Sequence, residues 1–311
     1  MILVEEGQSP LILCLPHSGT EIPEVVGKRL NATGRLQVDL AWRLERVFGI
    51  REELDATLVR STVSRYVIDL DEELSFQPKG PEVTSGGLCP VTTLDGKRIY
   101  REGEEPGPTE IEQRSLLFFA PYHNALRKQI GRLLEKHGTV VVLDCQSMRT
   151  HVRGVSSAGL PVVSIGTADG TSCASDLKNL VTGTFRNRDG YSLSVDEQTK
   201  GGHIARTFGQ PGKGVHALTL LLAQRAYLRH ESPPFEPDKI RVARLQAVLK
   251  EMLSQVIDWA TASNVSSLAQ RRIEKTGADF VPADGQRLAK AKKSQTSQVE
   301  EEPAVPLLVA E

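Results

Sequence analysis

Thr139-Val140-Val141-Val142-Leu143 is an unbroken apolar run, β-branched at four of five positions, followed at once by the polar Asp144-Cys145-Gln146-Ser147-Met148-Arg149. A run without alternation is what a strand buried on both faces carries, as in parallel sheets covered by helices. The abrupt change to polar residues marks the carboxyl end of such a strand, where sites form in open α/β sheets. A second stretch has the same construction: Leu11-Ile12-Leu13-Cys14-Leu15 opens into Pro16-His17-Ser18-Gly19.

Working outward, Val162 to Ile165 and Val215 to Leu222 read as further strands, and Thr57 to Leu70 as one or two. Asp95-Gly96 suits a hairpin turn between Val91-Thr92-Thr93 and Ile99-Tyr100. Helical spacing predicts Val38–Phe48, a long element from Thr109 to His137 bent near Pro121 and stopped by Gly138, then Ala174–Asn187 and Lys239–Ala260. Strands alternating with helices define the fold class as α/β, a mixed β-sheet flanked by helices. The expected organisation is one domain over residues 1–284 and a disordered tail over 285–311. There Lys290, Lys292 and Lys293 give way to Glu300, Glu301 and Glu302, with no aromatic residue.

Composition narrows the function. Of 311 residues, 38 are Lys or Arg and 39 are Asp or Glu, for a net charge of −1. That balance gives no electrostatic footprint for nucleic acid or an anionic membrane, and 5% aromatic residues give little base-stacking surface. The four cysteines form no Cys-x-x-Cys pair, which excludes a zinc ribbon and suits a reducing compartment. No secretory signal or membrane-length apolar run occurs, so the expected location is cytoplasmic and the expected partner a small-molecule anionic substrate or ligand.

Chemistry-bearing residues collect at three places. His17 stands at a strand end, where an imidazole binds zinc or caps backbone. Asp144, Ser147 and Arg149 follow the central strand, and Arg149 suits bidentate grip of a carboxylate. Lys200-Gly201-Gly202-His203-Ile204-Ala205-Arg206 is a glycine-hinged basic loop able to clamp an anion. The Gly209–Lys213 stretch lacks Walker spacing, and no Gly-x-Ser-x-Gly elbow is present.

Taken together these segments resemble the N-formylglutamate amidohydrolase (deformylase) family. The resemblance rests on Leu15-Pro16-His17-Ser18-Gly19, Ser64-Arg65-Tyr66-Val67-Ile68-Asp69-Leu70, Gly87-Leu88-Cys89-Pro90, Leu94-Asp95-Gly96 and Pro121-Tyr122-His123. It continues through Leu143-Asp144 with Ser147 and Arg149, Lys200-Gly201-Gly202 with Ile204 and Arg206, Gly214-Val215-His216-Ala217-Leu218 and Ala223-Gln224. It implies a fold similar to zinc-dependent exopeptidases and hydrolysis of an N-formyl or N-acyl amino acid, late in histidine breakdown. Zinc would polarise the acyl oxygen and acidify a bound water. By the same resemblance His17 and Asp39 ligate metal, Arg149 and Lys200 act in catalysis, and Arg65, Arg149, Lys200 and Arg206 hold substrate.

Four positions depart from the family pattern. Gln146 stands where the pattern has a histidine as a further metal ligand beside His17 and Asp39, and would take that place here, and Leu221 stands where the pattern has a glutamate suited to general base. Asp71-Glu72 replaces Asn-Arg, and Ala41 replaces one of two carboxylates. Glutamine is a weak neutral ligand beside imidazole, leucine accepts no proton, and Asp71-Glu72 would repel a dianion. Either His151 or His203 is a candidate replacement ligand. Two readings follow: a re-specialised metal-dependent amidohydrolase, or an inactive relative that binds an anionic metabolite or a protein partner.

Overall fold

The computed structural model describes residues 1–74, 87–153, 159–186 and 188–277, with side chains described as far as residue 263. The expected tail, 285–311, lies outside the described residues. The chain divides into two units, Met1–Leu268 and Ala269–Glu311. The first holds all that follows; of the second, residues 269–277 continue the last helix.

Among the described residues, seven strands form one sheet: β1 (Ile2–Glu5), β2 (Leu11–Leu15), β3 (Thr57–Ser61), β4 (Val140–Met148), β5 (Val163–Gly166), β6 (Leu193–Val195) and β7 (Val215–Ala223). Their spatial order is β1-β3-β2-β4-β7-β5-β6. Pairing is parallel except for β1 on β3 and β5 on β7, so the sheet is mixed. The unbroken apolar runs become the inner strands, and every residue of β2 and β7 is buried.

Strand periodicity sorts the side chains onto two faces. Leu11, Leu13, Leu15, Val141, Leu143, Leu218, Leu220 and Leu222 join one core with α6 (Ser175–Arg186) and α8 (Lys239–Gly277). Ile12, Cys14, Val59, Val140, Val142 and Ala217 join another with α5 (Ala120–His137) and α7 (His203–Phe208). The remaining helices are α1 (Glu24–Gly27), α2 (Ala32–Leu36), α3 (Leu44–Val47) and α4 (Pro108–Arg114). No described helix is long and apolar enough to cross a membrane.

Several expectations are corrected. The helix over Val38–Phe48 shrinks to α3, because Gln37 and Arg43 adopt positive φ (49° and 60°) and break the spiral. Trp42 instead stacks on Phe235, ring centroids 4.5 Å apart. Strand β3 stops at Ser61; Val63, Tyr66 and Val67 turn back into a separate cluster with Leu30, Ile99 and Tyr100. In place of the bend expected near Pro121, a π-helical turn at Ser115–Phe119 joins α4 to α5. Asp95-Gly96 does make a turn, with Thr93 N–H bonded to Lys97 O at 2.8 Å, but only an isolated bridge, Thr92 to Arg98, flanks it. The basic loop becomes helical from His203, and α8 runs well beyond Ala260. Asn187, expected to end a helix, lies outside the described residues.

Candidate active site

Side-chain alternation places the site. On β4 the face that carries Val140 and Val142 toward α5 and α7 turns polar at Asp144 and Gln146. Parallel pairing sets Asp144 opposite Thr219 and Gln146 opposite Leu221. Thr219 Oγ1 donates to Asp144 Oδ2 at 3.0 Å, and Gln146 Nε2 donates to the same oxygen at 2.6 Å. Gln146 Nε2 also donates to Asp71 Oδ2 at 2.7 Å. With carboxylates as acceptors, the amide nitrogen must face them. One glutamine thus bridges two carboxyl groups. Leu221 beside it is buried with Leu160, Ala223 and Met148.

Asp71 is fixed from its other side. Its Oδ1 accepts the Ile204 backbone N–H at 2.8 Å, and its carbonyl accepts that of His203 at 2.9 Å. Gly202 is required here, since a Cβ would lie 1.6 Å from Asp71 Oδ2. Burial pushes the Asp71 carboxyl up to about 6 despite the favourable field of His17. Burial, then the neighbouring Asp71, raises Asp144 well above the ordinary carboxylate range. Asp144 Oδ1 is buried and has no hydrogen-bond partner among the described residues.

His17 leaves β2 and turns its Nε2 to Asp69 Oδ1 at 2.7 Å. Arg65 Nε donates to Asp69 Oδ2 at 2.7 Å, and the Asp71 N–H donates to Oδ1 at 3.0 Å. Burial alone would raise Asp69, but Arg65 and His17 outweigh it and hold the carboxyl well below its usual range. The other ring nitrogen of His17, Nδ1, has no hydrogen bond to a described residue. Gly19, just beyond, packs so closely that a Cβ would meet the Thr62 backbone at 2.3 Å.

Asp39 belongs to a different group. Its Oδ2 accepts Tyr66 OH at 2.7 Å and Leu94 N–H at 2.9 Å, while its Oδ1 accepts Arg149 at 2.8 Å. Arg149 also reaches Asp95 at 2.8 Å, and its Nε is buried with no partner among the described residues. Two carboxylates hold that guanidinium charged against its burial.

The expected zinc set of His17, Asp39 and Gln146 does not fit this arrangement. His17 has a free ring nitrogen backed by a carboxylate, as metal-binding imidazoles do. Asp39, however, is committed to Arg149 and Tyr66, and Gln146 turns its amide donor to two carboxylates. Among the described residues no group of three His, Cys, Asp or Glu could hold a metal ion. His203 packs on Phe119 and His123, and His151 is exposed, so neither joins His17.

The other candidates are dispersed. Lys200 is exposed and paired with Asp169 at 3.0 Å. Arg206 donates to Gly201 O at 2.6 Å and Glu73 at 3.1 Å. Ser147 faces the opposite side of the sheet and shares a 2.6 Å bond with Tyr227 OH. Asp71, expected to repel substrate, spends both oxygens inside the protein. Sequence reasoning missed Asp69 and Asp95 as partners. Their signals were the i, i+4 spacing of Arg65 and Asp69 and the turn that presents Asp95.

The mixed sheet thus carries carboxyl, imidazole and guanidinium groups beyond the ends of β2 and β4. The N-formylglutamate amidohydrolase family model matches residues 9–228, and the chain belongs to that family. It is 32% identical over 254 residues to an N-formylglutamate deformylase of Pseudomonas putida, covering 82% of this chain and 94% of the relative. It is 33% identical over 256 residues to the deformylase of Pseudomonas aeruginosa, covering 82% and 95%. The fold matches the crystal structure of N-formylglutamate amidohydrolase from Ralstonia eutropha with a TM-score of 0.71 at 22% identity, over 84% of this chain and 98% of the other. A gene product of Agrobacterium tumefaciens matches at 0.61 and 17% identity, over 82% and 95%.

Proposed function

We propose that this chain hydrolyses the amide of an N-formyl or N-acyl amino acid, with His17 as general base in place of the family's zinc-bound water. The observation that carries this reading is the His17–Asp69 pair: an imidazole with one nitrogen unspent, its other nitrogen fixed by a carboxylate that Arg65 and a backbone N–H fix in turn. A base oriented by a third group is the arrangement that activates a nucleophile. Nδ1 takes a proton from water as its oxygen adds to the acyl carbon. The imidazolium, stabilised by Asp69, then returns the proton to the departing amine as the C–N bond breaks, leaving a carboxylic acid and an amino acid. Arg149, with Nε unspent, is the cation assigned to substrate, and Lys200 and Arg206 guide it from the surface. A location in the cytoplasm and a role in histidine catabolism accompany this reading.

The test is release of formate or carboxylic acid from a panel of N-acyl amino acids, beginning with N-formylglutamate, by protein stripped of metal and then supplied with zinc. Chelator-resistant turnover that falls roughly 10²–10⁴-fold in His17→Ala supports the reading. Turnover only with stoichiometric zinc overturns it in favour of a rebuilt metal site. The inactive-relative reading draws on Leu221, buried beside Gln146 where a glutamate base would stand. Calorimetric binding of an N-acyl amino acid with no turnover under any condition would establish it.

A further inference from the structure

Apart from the residues named in the candidate active site, the structure holds a cleft of about 250 Å³ between β5, β7 and the first turns of α8, lined by Arg225, Arg241, Arg244 and Tyr191 over Val162 and Ala226. Its guanidinium groups differ in what holds them. Arg225 is braced by Thr150 Oγ1 at 2.8 Å. Arg241 is braced by the carbonyls of Arg225 and Leu228, at 3.1 and 2.8 Å, with Asp238 at 3.9 Å. Arg244 makes no hydrogen bond or ion pair to a described residue, and neither does the half-buried Tyr191 hydroxyl. Among the described residues, the one acidic side chain on the lining is exposed Asp189, and Glu231 is spent on Thr150 and the Arg225 N–H.

Three cations beside the start of a helix repel one another and oppose its positive end, an arrangement that favours an anion between them. Guanidinium forks match the oxygens of phosphate, each adding a charge-assisted bond. The cleft is somewhat smaller than the roughly 300–1,000 Å³ of drug-sized sites, which limits the occupant to a small metabolite. Tyr191, Val162 and Ala226 provide an apolar wall for its carbon skeleton. We propose that this cleft is a binding site for a small organic phosphate monoester, gripped by Arg225, Arg241 and Arg244.

The test is isothermal titration of the full chain with glycerol phosphate, inorganic phosphate and succinate in turn. The variant is Arg244→Gln, with Lys213→Glu as a distant charge control. Arg244 is exposed, so Arg244→Gln is expected to leave the melting temperature unchanged. Saturable binding of the monoester, weakened about tenfold or more in Arg244→Gln and little changed in Lys213→Glu, supports the site. Equal affinity for inorganic phosphate would mean that the anion alone is recognised and would overturn the organic part of the proposal. Tighter binding of succinate would overturn its phosphate specificity. No saturation below about 10 mM with any probe, or equal losses in Arg244→Gln and Lys213→Glu, would overturn the site itself.

Discussion

Gly202→Ala isolates the contact on which the candidate site is built. The backbone at Gly202 is extended (φ −83°), so an alanine meets no conformational penalty there. The new methyl group meets Asp71 Oδ2 at 1.6 Å, a separation that no rotation of Asp71 short of leaving its place relieves. Displacing that carboxyl breaks its bonds to Gln146 Nε2 (2.7 Å) and the Ile204 N–H (2.8 Å). Hydrogen bonds to charged groups contribute roughly 1.5–3 kcal/mol each, so losing both bounds the effect near 3–6 kcal/mol. Partial re-bonding of Asp71 brings the expected loss to about 2–4 kcal/mol. Urea unfolding of the wild type, Gly202→Ala, Asp71→Ala and the double variant closes a cycle. With Asp71 truncated the methyl group has room, and the second substitution is expected to be neutral or slightly stabilising, by up to about 1 kcal/mol. Similar losses in both backgrounds would refute the contact and with it the placement of Asp71 against α7.

Three further outcomes are expected. Burial, then the field of His203, holds His123 down to about 3, while the unfolded chain takes up its proton near 6.5. Stability is therefore complete above that upper value and declines as pH falls toward 3, by up to about 1.4 kcal/mol per unit. His123→Leu should show a shallower decline in urea midpoints between pH 7 and 4.5, and parallel profiles would refute the assignment. Leu221→Glu buries a carboxyl among Leu160, Ala223 and Met148. Its folded-state pKa rises, so the penalty is small near pH 4 and grows to about 2–4 kcal/mol by pH 8, read from denaturation at both values. Arg149→Met leaves Asp39 and Asp95 without their shared cation. A loss of about 2–4 kcal/mol is expected by thermal melting, and Asp39→Asn in the same background should recover part of it.

How far the sequence exposed this arrangement depends on the range of the interactions involved. Strands β2, β4, β5 and β7 were legible because burial on both faces leaves an apolar run that needs no partner to be recognised. Strands β1 and β6 are short edge strands, of four and three residues, and carry no such run. Helix α7 was hidden because its start depends on Asp71, more than a hundred residues away in the chain, whose carboxyl receives the Ile204 N–H. The strand ends were correctly marked as places where polar groups gather, and His17 and Arg149 lie there. Which groups pair was not legible, because pairing depends on register. Asp144 and Thr219 meet, as do Gln146 and Leu221, only because β4 and β7 run parallel with those residues opposite.

That register also gives three of the positions expected to differ from the family pattern, 71, 146 and 221, a common physical sense. Gln146 and Leu221 are neighbours on one face of adjacent strands, and Asp71 closes on Gln146 from the α7 side. A histidine at 146 would present one ring nitrogen toward this corner, where an amide presents an N–H₂ group able to serve two carboxyl groups together. A glutamate at 221 would add a third carboxyl beside Asp71 and Asp144, with no described cation bonded to that pair, and leucine avoids this repulsion. The changes at 71, 146 and 221 are therefore mutually consistent: the donor at 146 suits the acid at 71, and the apolar side chain at 221 suits both. Substituting one of them alone leaves an unpaired donor or a surplus charge. Gln146→His should therefore destabilise the fold on its own, and do so less when Asp71 is also changed to asparagine. Additive losses in urea unfolding would mean that the three positions vary independently.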